Sequence, residues 1–86
     1  MNQDDYYIIN QIEQISFVDL SQTTNTSIPT NFLNNKEQLV AIMLPETLKE
    51  IQNDAFRYCR SLYSINLPNS IENIGYGAFS YCQIDS

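Results

Sequence analysis

Apolar side chains recur along this chain on a fixed frame. Sliding Leu39–Ser61 over Leu62–Ile84, an offset of 23 residues, brings nine positions into identity: Leu39/Leu62, Ile42/Ile65, Leu44/Leu67, Pro45/Pro68, Ile51/Ile74, Ala55/Ala78, Phe56/Phe79, Tyr58/Tyr81 and Cys59/Cys82. Thr47/Ser70 and Leu48/Ile71 are conservative pairs. A weaker copy precedes them, in which Ile15, Val18, Leu20, Ile28, Phe32 and Leu33 follow the frame at an offset that drifts between 23 and 24. Terminal repeats are commonly atypical in this way. A period of this length means one supersecondary unit per repeat, unable to bury its apolar face alone, so that stacking makes the core continuous.

Within each unit the pattern changes period. Ile42-Met43-Leu44 and Ile65-Asn66-Leu67 alternate in, out, in, which predicts a strand, with Ile42, Leu44, Ile65 and Leu67 directed into the core. Pro45 and Pro68 end that strand, because proline has no N–H for a ladder. A turn follows, carrying Leu48 or Ile71 and then Ile51 or Ile74 inward. Ala55, Phe56 and Cys59, at i, i+1 and i+4, share one face of a short helical segment from about Asp54 to Cys59. A segment so short is held only by packing, and Phe56 and Phe79 are expected to stack as a spine.

The N-terminal stretch carries a different signal. Ile8, Ile12 and Ile15, at i, i+4 and i+7, behind Asp4 and Asp5, predict an amphipathic helix over about residues 4–14 that caps the first repeat. The domain reading is therefore a capping helix in 1–14 and a repeat array in 15–86, with approximate repeats 15–38, 39–61 and 62–84. At the other end Ile84-Asp85-Ser86 departs from the Leu-x-x-Ile-x-Leu that opens a repeat, so the chain is expected either to be truncated or to end on a partner.

Composition narrows the function. The 86 residues, 43% hydrophobic, suit one small domain, and ten acids against four bases give a net charge of −6. With no basic cluster, nucleic acid and anionic membranes are not expected partners. The longest apolar run, Leu39–Leu44, has six residues against the ~20 of a bilayer-spanning helix. Met1–Asp5 has no positive segment and Tyr6–Ile9 is too short for a signal-peptide core, so no secretion signal is expected. Two cysteines and no histidine cannot supply a four-ligand zinc site. Carboxylate pairs such as Glu46 and Glu50 have no histidine, phosphate loop or nucleophile beside them and are read as a solvated face. No catalytic residue, metal or cofactor is expected, and the chain is read as a non-enzyme.

The full pattern, Leu62-x-x-Ile65-x-Leu67-Pro68-x-Ser70-Ile71-x-x-Ile74-Gly75-x-x-Ala78-Phe79-x-x-Cys82, resembles the BspA-like leucine-rich repeat in order and spacing. The resemblance covers residues 39–84 well and 15–38 loosely, and Gln52 stands where the family has glycine. It implies an α/β repeat fold, a leucine-rich-repeat solenoid with short parallel strands on one face and short helical or 3-10 segments on the other. It also implies a surface or adhesion protein that binds other proteins, although the chain shows no signal or anchor to fix its location. Leucine-rich repeats use Asn or Cys where a side chain ties down loop backbone, which matches Asn35 to Cys59. The family's recurrent cysteine implies that Cys59 and Cys82 form a column of thiols, although a disulfide lies within reach of adjacent strands.

A parallel sheet built this way leaves one row of side chains outside. Phe17, Asp19, Ala41, Met43, Ser64 and Asn66, with Tyr63 at the margin, are the candidate binding residues for a protein partner. The bland alternative is that two or three repeats offer less than the ~800 Å² per partner of a specific interface. On the binding reading, Met43→Asp or Asn66→Arg should abolish binding without unfolding. The competing functional reading is a homo-oligomer, paired through the open strand edge at the C-terminal end. Asn25-Thr26-Ser27 matches a glycosylation acceptor but is read as an ordinary polar loop. Tyr58, Tyr63, Tyr76 and Tyr81 offer rigid amphipathic contact area, with Tyr58 and Tyr81 read as packing residues.

Overall fold

A computed structural model describes residues 3–83, with side chains from Tyr6 onward. Ile84, Asp85 and Ser86, and with them the expectation drawn from their sequence, lie outside the described residues. The order of elements is α1 (Gln3–Asn10), β1 (Phe17–Asp19), β2 (Ser27–Ile28), β3 (Ala41–Met43), β4 (Glu50–Ile51), β5 (Ser64–Asn66) and β6 (Asn73–Ile74). The strands form two parallel sheets, β1-β3-β5 and β2-β4-β6, so each repeat contributes one strand to each. We call the residues from one strand of the first sheet to the next a rung.

The first sheet follows from the alternation seen in the sequence. Val18, Ile42 and Ile65 lie in register on its inner side. The second sheet does not follow from it. Ser27-Ile28, Glu50-Ile51 and Asn73-Ile74 are two-residue strands in register, too short to show a period. Ile28 and Ile51 are buried, and Ile74 holds the same register position. Leu20, Leu33, Leu39, Leu44, Leu48 and Leu62 fill the space between, all buried.

Register also locates the drift in repeat length. Val18 pairs with Ile42, 24 residues on, whereas Ile28 pairs with Ile51, 23 on. The extra residue therefore lies between β1 and β2, where residues 20–26 make seven against six in 44–49 and in 67–72. The hydroxyl of Thr47 donates to Asn25 O at 2.8 Å as that of Ser70 donates to Leu48 O at 2.6 Å. Asn25 thus occupies the place of Leu48. Its amide donates to the Tyr6 hydroxyl, which in turn donates to Ser27 O at 2.8 Å. An Asn25 engaged with the buried Tyr6 agrees with the loop reading of Asn25-Thr26-Ser27.

The helical segment expected from Asp54 to Cys59 is absent. Residues 53–58 are a run of turns, and the equivalent stretches of the other rungs are the same. Their amides alternate in direction: Phe56 N and Tyr58 N donate to Ala78 O and Ser80 O of the next rung, while Arg57 N and Cys59 N turn back to Asp54 O and Phe56 O. Leu33 and Asn35 donate in the same way to Ala55 O and Arg57 O. Such an alternation needs left-handed backbone at regular places, and it occurs at Asn31, Asp54 and Gly77 and again at Asn35, Tyr58 and Tyr81. Asn35 therefore corresponds to Tyr58, not to Cys59 as the sequence suggested. The thiols of Cys59 and Cys82 donate instead to Leu33 O at 2.9 Å and Phe56 O at 3.1 Å, and both cysteines are free. Contact with Cys82 and then burial raise the Cys59 thiol far above its ordinary value, which keeps it protonated.

An aromatic column runs through the stack. Tyr6 meets Phe32 edge-on at 4.8 Å, Phe32 meets Phe56 at 6.5 Å, and Phe56 stacks on Phe79 at 5.4 Å. The phenylalanine spine expected from the repeat thus extends through two more rings into α1. The helix packs differently from its sequence pattern: it ends at Asn10, Tyr6 is buried, and Ile9 packs against the core. Ile8 is 61% exposed and Ile12 lies beyond the helix, also exposed. Polar bonds favour that face, since Asn10 Nδ2 donates to Phe32 O at 2.6 Å and Lys36 Nζ donates to Asn10 O.

Candidate binding face

The outward side chains of the first sheet stand in two columns, Phe17–Ala41–Ser64 and Asp19–Met43–Asn66, set by the strand register. A third column flanks them. Val40 N donates to Ser16 O and Tyr63 N to Val40 O, which places Tyr63 beside Val40 one rung away. Every candidate residue predicted from the sequence is therefore on this face or at its margin. Strand alternation would direct Val40 inward, yet it is exposed; its alignment with Tyr63 in the repeat was the signal that could have found it.

The face exposes apolar side chains beside the polar Asp19, Ser64 and Asn66. Phe17 is 51% exposed and Met43 42%, and Val40 and Tyr63 add to them. Its one charge is Asp19, whose carboxyl is lowered from its ordinary value by hydrogen bonds from the Ser21 hydroxyl and from Ser21 N at 2.9 Å. That bond fixes the carboxylate at one edge and leaves the centre of the face uncharged.

Asn66 differs from its neighbours. Its Oδ1 accepts from Leu44 N at 2.6 Å and its Nδ2 donates to Leu44 O at 3.1 Å, so the amide completes the ladder just beyond β3. In the first pair of rungs the backbone does this alone, through Leu20 N to Met43 O at 2.8 Å. Asn66→Arg, expected from the sequence to leave the fold intact, would remove both of these bonds between rungs. An arginine cannot accept from Leu44 N, and leaving that donor unsatisfied costs about 1–3 kcal/mol. Asn66→Arg is expected to lower the denaturation midpoint in urea by the corresponding amount, and a midpoint equal to that of the parent would refute this role.

Leu67 and Ile74, predicted to point into the core, are 49% and 50% exposed, and Ile65, Ile71 and Phe79 are half-buried. They keep their inward positions, but in the third rung nothing among the described residues stacks beyond them. Across the stack Tyr58 and Tyr81 lie parallel at 4.6 Å, with the Arg57 guanidinium 5.0 Å and 5.8 Å from their ring centres. This ring pair supports the two left-handed tyrosines, as their repeat positions suggested. Glu50 is not simply solvated: its Oε1 accepts from Ser27 Oγ at 3.0 Å and from Gln52 Nε2 at 3.2 Å.

Among the described residues no cluster of three or more His, Cys, Asp or Glu side chains is arranged to hold a metal ion, and no helix is long and apolar enough to cross a membrane. A family model described as a BspA type leucine-rich repeat region (6 copies) matches residues 4–86. No curated protein matches the chain. No solved structure matches it either.

Proposed function

We propose, from the premise that this chain belongs to the BspA type leucine-rich repeat family, that it is a solenoid module binding a protein through the exposed face of its first sheet. Repeats of this family are generally non-enzymatic interaction modules, and the surface and adhesion setting implied by the resemblance is the setting we propose here. The observation that carries the reading is the patch of Phe17, Val40, Met43 and Tyr63, four exposed apolar side chains on one short sheet with no charge among them. Exposed apolar area concentrated in this way marks interaction surfaces, and aromatic and methionine side chains are the ones enriched at the cores of interfaces.

The test is affinity capture of surface proteins with the folded chain, followed by titration of the recovered partner against Phe17→Asp and Met43→Asp. Neither side chain is in the core, so the circular dichroism spectrum should stay that of the parent. Burying an unpaired carboxylate at an interface should weaken binding by at least about tenfold. Parental affinity in both variants would sink the proposal. A second reading, self-assembly through the C-terminal edge, is favoured by the exposed Leu67 and Ile74. A solution mass that stays monomeric as concentration rises would exclude it.

A further inference from the structure

The outer side of the second sheet is chemically unlike the first. A groove of about 460 Å³ crosses all three rungs there, from Thr30 past Glu50, Gln52 and Asn53 to Asn73 and Ile74. Its floor is organised by hydrogen bonds between side chains. Gln52 Nε2 donates to Ser27 Oγ at 2.9 Å and to Glu50 Oε1, and Gln52 Oε1 accepts from Thr30 N at 3.1 Å and Thr30 Oγ1 at 3.2 Å. Glu50 and Gln52 are thereby held in one orientation. Asn73 lies directly beside Glu50 in the strand register, and its amide makes no hydrogen bond to another of the described residues.

From this groove we infer a site for a neutral oligosaccharide. The argument runs by complementarity. No Lys or Arg lines the groove and a carboxylate does, so a phosphorylated or sulfated ligand would meet repulsion without compensation. One carboxylate already accepting two bonds does not coordinate a divalent cation, which needs six or more oxygen ligands for calcium. A lining of amides, a hydroxyl and a carboxylate does not suit an apolar ligand, since these groups would be desolvated without partners. Adjacent sugar hydroxyls both donate and accept, as do planar amides, so the Asn73 amide and the free Nδ2 of Asn53 can each meet them while Glu50 accepts. Tyr76, next in the chain to Gly75 of the groove lining and 84% exposed, offers a ring for the C–H face of a pyranose. The volume falls within the ordinary range of ligand clefts.

The inference is independent of the protein-binding face on the other sheet, and its test keeps the two apart. The 15N-labelled chain is titrated with maltotriose, cellotriose, mannotriose and triacetylchitotriose up to about 10 mM, the range of weak single-site binding. At least one of them should shift the side-chain amide signals of Asn53 and Asn73 saturably. Asn73→Ala, at an exposed position, should keep the parental circular dichroism and weaken that binding about tenfold, the loss expected for one hydrogen bond. Met43→Asp on the first sheet should leave it unchanged. Absence of a saturable shift with every trisaccharide, or equal affinity in Asn73→Ala, would overturn the inference.

Discussion

Phe56→Ala is expected to destabilise the protein by about 3–5 kcal/mol, the cost of removing a buried aromatic side chain and leaving a cavity. Phe56 is the largest fully buried side chain, and it touches aromatic rings of the rung on either side. A chain of this length has a stability on the order of 4–13 kcal/mol at ~0.05–0.15 kcal/mol per residue. The variant should therefore lose much of its folded population, seen as a fall in urea midpoint at unchanged slope. Phe79→Ala removes the same ring from a half-buried place at the end of the column, and its loss should be clearly smaller. Equal losses in the two variants would mean that the column is not the main tie between rungs.

The repeat itself was legible in the sequence because its identities are mostly core positions. Leu39, Ile42, Leu44, Ile51 and Phe56 are all buried, and the first sheet stands where the in-out-in alternation put it. Elsewhere a pattern was present but satisfied two structures at once. Ala55, Phe56 and Cys59 fit one face of a helix, yet a run of turns with left-handed residues at Asp54 and Tyr58 also directs them inward. One column of left-handed residues, Asn31, Asp54 and Gly77, has residue types that tolerate this conformation. The other, Asn35, Tyr58 and Tyr81, includes tyrosines that carry no such signal. In α1 the isoleucine spacing misled because the buried contact is made by a tyrosine whose hydroxyl needs partners, and Asn25 and Ser27 O supply them.

The outer face of the first sheet was legible for a simpler reason. Once a strand and its inner residues are assigned, the outer row follows from the pleat, and Phe17, Asp19, Ala41, Met43, Ser64 and Asn66 all fall on it. Spacing cannot tell an outward side chain that is free from one that, like Asn66, bonds the neighbouring rung. The groove on the second sheet was hidden with that sheet. Ser27, Glu50 and Asn73 recur at the 23-residue interval but differ in residue type, so the frame of identities does not mark them, and the parallel register sets them side by side with Gln52 two positions on.

The same register predicts an asymmetry between the equivalent positions 52 and 75. Gln52 and Gly75 are equivalent, yet exchanging their side chains should cost unequal amounts of stability. A Cβ at Gly75 would lie 2.5 Å from Asn53 Oδ1, 2.6 Å from Asn53 N and 2.7 Å from the carbonyl carbon of Gln52. Two of these are backbone atoms, which cannot swing aside, and Gly75 N is bonded to Ile51 O at 2.6 Å, so the rungs cannot part without losing that bond. Gly75→Gln is therefore expected to cost at least about 1–3 kcal/mol, the range for overpacking, plus the lost bond. At position 52 a side chain is accommodated, because it turns outward to bond Thr30, Ser27 and Glu50 at part-exposed sites. Gln52→Gly removes those bonds and adds backbone entropy to the unfolded chain, about 1 kcal/mol for the glycine, so it should be the milder change. The two urea midpoints measured side by side decide the matter. A larger loss for Gln52→Gly would show that the polar array tying the first rung to the second contributes more to the stack than the close approach of backbone at Gly75 between the second and third.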